Sequence, residues 1–189
     1  MTDVPFSCSC GEIKGTLHHV TPQNGNHVRC YCSACRAAVL YTTGEDVGTR
    51  GVELFQTNHY KISFQQGRSK IGVFSFSPNK LLRFRATCCG VQMFTTLPSP
   101  KFALAGVMTN LLSDKTAIGP VAMEAFIPQP DGSSKHSSTL RLYGGTIWRA
   151  LIARITGRWK QTSFFDIKTG KPVAEVYVPT SQERVKLPL

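Results

Sequence analysis

A chain of 189 residues with 41% hydrophobic content suffices for one domain with its own core, and no run of apolar residues is long enough to span a bilayer. The balance of 22 Lys+Arg against 11 Asp+Glu, a net charge of +11, favours anionic partners, but no nucleic-acid-binding motif accompanies it and nucleic acid is not an expected ligand. The opening Met1-Thr2-Asp3-Val4-Pro5-Phe6 lacks the basic-then-apolar order of a secretory leader, so a cytoplasmic protein is expected.

Taken in chain order, Glu12 to Val20, His27 to Tyr31, Val52 to Gln56, Tyr60 to Phe64, Ile71 to Phe76, Leu81 to Ala86 and Val91 to Thr95 alternate or run apolar as strands do. Turn residues separate them at Pro22 to Asn26, Gln66-Gly67-Arg68 and Ser77-Pro78-Asn79-Lys80. A spacing of about ten residues is that of an antiparallel all-β domain. Thr42 to Gly51 is polar and reads as a loop. Lys101 to Leu112, preceded by Pro100, reads as a short helix. Gln129 to Ser138 reads as an exposed linker.

Thr146 to Lys160 carries the clearest helical period. Trp148, Leu151, Ile152, Ile155 and Trp159 form one apolar stripe, with Arg149, Arg154, Arg158 and Lys160 off it and no acid in the segment. A basic amphipathic helix of this kind can lie on a membrane surface, but packing against its own domain is commoner and is the expectation here. Asp166 to Val178 reads as a hairpin turning at Thr169 to Pro172, and the tail from Thr180 as poorly ordered.

Seven cysteines fall in three clusters: Cys8-Ser9-Cys10-Gly11, Cys30-Tyr31-Cys32-Ser33-Ala34-Cys35 and Cys88-Cys89-Gly90. In a reducing compartment such clusters read as metal-binding or catalytic. Seven divides into four plus three, and four thiolates close a tetrahedral structural Zn²⁺ whereas three leave one position open. Cys30 at a strand end, with Cys32 and Cys35 from a tight turn, suits the open site. Cys8 and Cys10 meeting Cys88 and Cys89 suits the closed one, with adjacent Cys88 and Cys89 awkward if both stand on a strand. One or two Zn²⁺ ions are therefore expected. The fold expected is a mainly β, antiparallel, zinc-bound, sandwich-like single domain over 1–189, with a core over 5–97 and an extension over 98–189 that carries helix 146–160.

Together, C-x-C-G, C-x-C-x-x-C and a C-G pair after a basic strand resemble the glutathione-dependent formaldehyde-activating enzyme and centromere protein V family, over roughly residues 5 to 97. The resemblance implies a mostly β fold with a structural zinc on Cys8, Cys10 and Cys89, a catalytic zinc on Cys30, Cys32 and Cys35, and a matching arginine at Arg83. It implies carbon–sulfur lyase chemistry on a small thiol or thiol adduct of the glutathione type. The family's C-x-x-C-G would place a cysteine at 86, where this chain has Ala86 and offers Cys88 instead. It has Tyr31 and Ala34 where the family often has His and Asp. Arg36 and Arg83 are candidates to hold substrate carboxylates. Tyr31, Glu45, Asp46 and His59 are candidate proton shuttles that no spacing fixes. Two alternatives have the same metal sites without the reaction: a non-catalytic zinc-binding interaction module, and a zinc-thiolate redox sensor.

Overall fold

The computed structural model of the chain describes residues 1–78, 80–137 and 139–189. Asn79, in the expected Ser77–Lys80 turn, and Ser138, at the end of the expected linker, lie outside the described residues.

Alternation builds the first sheet. In β1 (Thr2–Ser7), Val4 and Phe6 point inward and Asp3 and Pro5 outward. This strand pairs antiparallel with β2 (Lys14–Val20), which pairs antiparallel with β5 (Ile62–Gln66). A second, larger sheet runs β10 (Met123–Ala125), β3 (Asn26–Cys30), β4 (Val52–Thr57), β9 (Ala105–Met108), β8 (Gln92–Thr96), β7 (Leu82–Ala86), β6 (Ile71–Phe74) and β13 (Val176–Tyr177). Its interior pairs are antiparallel, but β10 lies parallel to β3 and β13 parallel to β6. The domain is mainly β, with a mixed sheet where a wholly antiparallel one was expected. Parallel neighbours need long crossovers, which a rhythm of short hairpins does not reveal.

The two sheets share one core. The Phe6 ring of β1 meets Phe94 of β8 edge-on at 5.2 Å, and Phe164 lies 4.9 Å from Phe84 and 5.2 Å from Phe94. Burying a ring of this size contributes about 1.5–3 kcal/mol. Phe164 and Phe165 come from the C-terminal half, and β9 sits between β4 and β8 in the middle of the large sheet. A division of the chain at residue 97 therefore follows no boundary in the packing.

Three elements differ from expectation for physical reasons. Lys101 to Leu112 is not a helix: it holds β9 and a 3-10 turn at Thr109–Leu111. Each residue of β9 is buried, and a strand covered on both faces shows a continuous apolar run that periodicity cannot separate from a helix. Helix α1 (Ser33–Thr43) was not expected at all. It ends at Gly44, whose φ of 74° makes a left-handed cap, and only beyond it does the expected 42–51 loop begin. Ala37 and Ala38 of α1 are buried beside Phe74 and Phe76.

The C-terminal helix α2 runs Thr139–Ile155, starting earlier and stopping sooner than 146–160. Gly157, at φ 71°, separates it from a 3-10 turn at Arg158–Lys160. Among its described side chains Ala150 and Ala153 are buried, whereas Trp148, Leu151, Ile152 and Ile155 are exposed, so the apolar stripe does not pack on the domain as expected. The expected linker holds a strand, β12 (Ser134–Lys135), which pairs back with β11 (Ile127–Pro128) just before it. The expected last hairpin is reduced to a Phe165–Pro172 bridge, since β13 joins β6 instead. The tail is ordered: α3 (Ser181–Arg184) carries a Thr180/Glu183 capping box, and Leu187 packs beside Phe74 and Phe76.

Candidate metal centres

The first site joins the turn after β1 to the turn between β7 and β8. Cys8 N–H donates to the Ile13 carbonyl, and Gly11 N–H to the Cys8 carbonyl. The second turn is built alike, with Ala86 N–H donating to Val91 and Gly90 N–H to Ala86. Gly11 and Gly90 have φ of 76° and 80°, a region that favours glycine. Cys88 and Cys89 lie in this turn, so strand alternation does not separate them, and their sulfurs join those of Cys8 and Cys10 within 4.8 Å of one another. Sulfur separations are 3.5 Å (Cys8–Cys10), 3.8 Å (Cys8–Cys88) and 3.3 Å (Cys10–Cys88). Bonds of about 2.3 Å in a tetrahedron place thiolate sulfurs about 3.8 Å apart, so this donor set fits a zinc ion, whereas a disulfide needs about 2.05 Å.

The Cys8 thiol is buried and accepts a 3.2 Å hydrogen bond from Ile13 N–H. Burial opposes its ionisation, but that amide and the neighbouring thiols outweigh it and bring Cys8 down to about 7. Cys88 is pushed up to about 12 by desolvation and by Cys10 and Cys8. Lys70, paired with Glu12 beside this turn, is held above its usual value first by that carboxylate and then by Cys88 and Cys10.

The second site is built within a few residues. Cys30 ends β3, and Cys32 is the N-cap of α1, its sulfur accepting from Cys35 N–H at 3.4 Å. A thiol here takes the place of the usual Ser or Asp, and the positive end of the helix favours its ionised form. Cys30 and Cys32 sulfurs are 3.4 Å apart, and the three sulfurs of Cys30, Cys32 and Cys35 lie within 4.8 Å of one another. Cys30 and Cys35, aided by the Cys35 amide and Arg83, hold Cys32 down at about 3. The charge placed there pushes Cys30 up to about 12, while Cys30, then Cys32, and burial push Cys35 well above its usual value.

Arg83 of β7 lies beneath this cluster, only 3% exposed. Its guanidinium donates to the Ala34 carbonyl in the first turn of α1 at 3.2 Å and stacks on Phe76 at 4.9 Å. Burial lowers its pKa, while Cys35, Cys32 and Cys30 oppose that lowering. The charge thus faces the thiols from the protein side, and Arg83 is a buried support for α1. Arg36 is instead exposed and clasps Asp46 with contacts of 2.6 and 2.5 Å.

The shuttle candidates are occupied elsewhere. Asp46 is held at about 2 by Arg36, and Glu45 pairs with Arg50 at 2.7 Å. Tyr31 OH donates to Glu124 at 2.6 Å. His59 is fully buried, bonded to the Pro100 carbonyl at 3.1 Å beside Phe165. Sequence reasoning missed the helix cap at Cys32; a run rich in Ala between Cys32 and Gly44 was the available signal.

Comparison with known proteins assigns the chain by most of its length. A model for the family of unknown function DUF6151 matches residues 1–177. The chain belongs to that family. No curated protein matches it. A solved protein of Rhodobacter sphaeroides is similar at 16% identity and a TM-score of 0.43, over 62% of this chain and 96% of its own. A likeness of that size carries no argument about what members of DUF6151 do.

Proposed function

We propose that this chain binds two Zn²⁺ ions at unlike sites. Cys8, Cys10, Cys88 and Cys89 hold one for stability. Cys30, Cys32 and Cys35 hold the other beside an open position, where the protein acts as a carbon–sulfur lyase on a small glutathione-type thiol adduct. Sulfur spacing close to that of a tetrahedral thiolate site supports the metals. The observation that carries the open site is that, among the described residues, no fourth His, Cys, Asp or Glu joins Cys30, Cys32 and Cys35.

Zinc in that position supplies a place where an added thiol is held as its thiolate. The chain's own residues hold the charge. The Cys35 amide in the first turn of α1 donates to the Cys32 sulfur, and buried Arg83 faces the same thiols from below. When a hydroxymethyl adduct cleaves, the carbon–sulfur bond breaks with its electron pair on sulfur and the hydroxyl gives up its proton. With Tyr31, Glu45, Asp46 and His59 engaged elsewhere, that proton passes to water. Cytoplasmic reduction of the thiols fits this reading; among the described residues no helix is long and apolar enough to cross a membrane.

Metal analysis of the purified chain, with exchange of S-hydroxymethylglutathione followed by NMR, tests it. Two zinc per chain are expected, together with faster exchange that Cys30→Ser removes along with one zinc. Metal-free protein, or exchange unaltered in the variant, overturns the proposal.

A further inference from the structure

Helix α2 turns the wrong residues to water for a helix that serves only its own domain. Ala150 and Ala153 face the body, while Ile147, Trp148, Leu151, Ile152 and Ile155 are exposed, Trp148 at 62% and Ile155 at 76%. With 3.6 residues per turn these five side chains cover about 140° of the helix circumference as one arc. A groove of about 350 Å³ carries the arc on to Phe102, between Ile147 and Leu151.

Cations rim this arc on both sides. Exposed Lys101 and Arg154 border the groove, and exposed Arg158 and Lys160 follow the helix end. On the opposite flank Ile152 borders a cavity of about 770 Å³ whose wall holds Lys61, Arg149 and Arg158 and, among the described residues, no carboxylate. Burial, and then Arg149 and Arg158, push Lys61 below its usual value, so these cations repel one another. From Thr139 to Phe165 the sequence contains no Asp or Glu.

We infer that α2 docks this protein on an anionic lipid surface. The apolar arc enters the boundary between headgroups and acyl chains, and the rim meets headgroup charge. Lys61, Arg149 and Arg158 receive a lipid phosphate in the flanking cavity. Charge selects this occupant over a second copy, because a two-fold contact between such faces sets Arg154, Arg158 and Lys160 against their own images with no acid in the helix to pair them.

Co-sedimentation with phosphatidylcholine vesicles, with and without phosphatidylserine, tests the inference on the full chain. Phosphatidylserine is expected to raise partitioning at least tenfold, an increase that salt reverses. Emission should shift to the blue, since Trp148 and Trp159 are the chain's two tryptophans. Leu151→Glu/Ile155→Glu should abolish binding with an unchanged circular dichroism spectrum. Arg154→Gln/Arg158→Gln should weaken it about fivefold per charge removed. Equal binding to both vesicles, no binding, phosphate bound in the cavity without vesicle binding, or a dimer in light scattering that the Glu variant dissolves would each overturn it.

Discussion

The two thiol clusters are made by opposite strategies. Cys8 and Cys88 stand 80 residues apart and meet because two turns on different sheets face each other. Cys30, Cys32 and Cys35 need only the end of β3 and the first turn of α1. The long-range cluster ties the small sheet to the large one, so whatever stabilises it is coupled to folding. The local one depends on a helix cap and a buried arginine, and it can lose a ligand while both sheets stay paired. The lesson is that equal sulfur chemistry carries unequal structural weight.

The sharpest way to break this contrast is to remove one thiol from each. Cys8→Ser should lower the melting temperature by about 10 °C or more, the size of a loss of a few kcal/mol in a domain of this length. Chelation of the wild type should do the same. Cys30→Ser should release one zinc equivalent at no more than about a third of that thermal cost. Calorimetry with metal analysis on both variants checks this, and equal shifts would erase the distinction between the sites.

A smaller effect separates support from ligation at the local cluster. Arg83→Met keeps the length of the side chain but removes the charge facing the thiols and the bond to the Ala34 carbonyl. Zinc affinity at that site should fall about 10- to 100-fold, as for other residues that orient metal ligands, while the affinity of the four-cysteine site is unchanged. Competition titration with a chromophoric chelator resolves the two sites. Arg83→Lys should restore part of the loss.

Much of this contrast was legible in the cysteine spacing, and the reasons for the misses are local. C-x-C-G and C-x-C-x-x-C mark chain segments where thiols can converge, and Arg83 was singled out by resemblance alone. Cys88 and Cys89 are awkward partners only if both stand on a strand; the strand ends at Ala86, as expected, and a turn begins at Thr87. Helix α1 was hidden because cysteine is not among the usual cap residues. β9, buried on both faces, imitated a helix. The stripe of α2 was read correctly as a stripe but assigned to the wrong side, since sequence shows which residues share a face and not what the face meets.

Acid sharpens the comparison by adding a contribution that belongs to neither cluster. His59 is neutral in the core, its pKa lowered by burial. Below the ordinary histidine value of about 6.5 the unfolded chain therefore binds a proton that the folded chain refuses. The stability tied to His59 is present above that value and is lost as pH falls toward and through the lowered folded value. His59→Gln should flatten this part of the melting temperature–pH curve. Zinc loss, which also follows thiolate protonation, should continue at the same pH in the variant. If the slope persisted unchanged, the acid sensitivity would belong wholly to the metal sites.

The smallest effect concerns the second candidate arginine. Arg36 and Arg83 have the same charge, but Arg83 is sealed under α1 while Arg36 lies on the surface with Asp46. Exposed pairs of this kind contribute little, because water screens them and two long side chains lose freedom in forming them. Arg36→Gln should leave zinc content and the melting temperature within error of the wild type. Its informative readout is therefore kinetic. A rise in KM for a glutathione adduct with kcat unchanged would mean that the guanidinium leaves Asp46 to hold a substrate carboxylate, and an Asp46→Asn variant should then lower KM by freeing it. Unchanged kinetics in both variants would restrict Arg36 to its ion pair, and of the two candidate arginines Arg83 alone would act at the three-cysteine site.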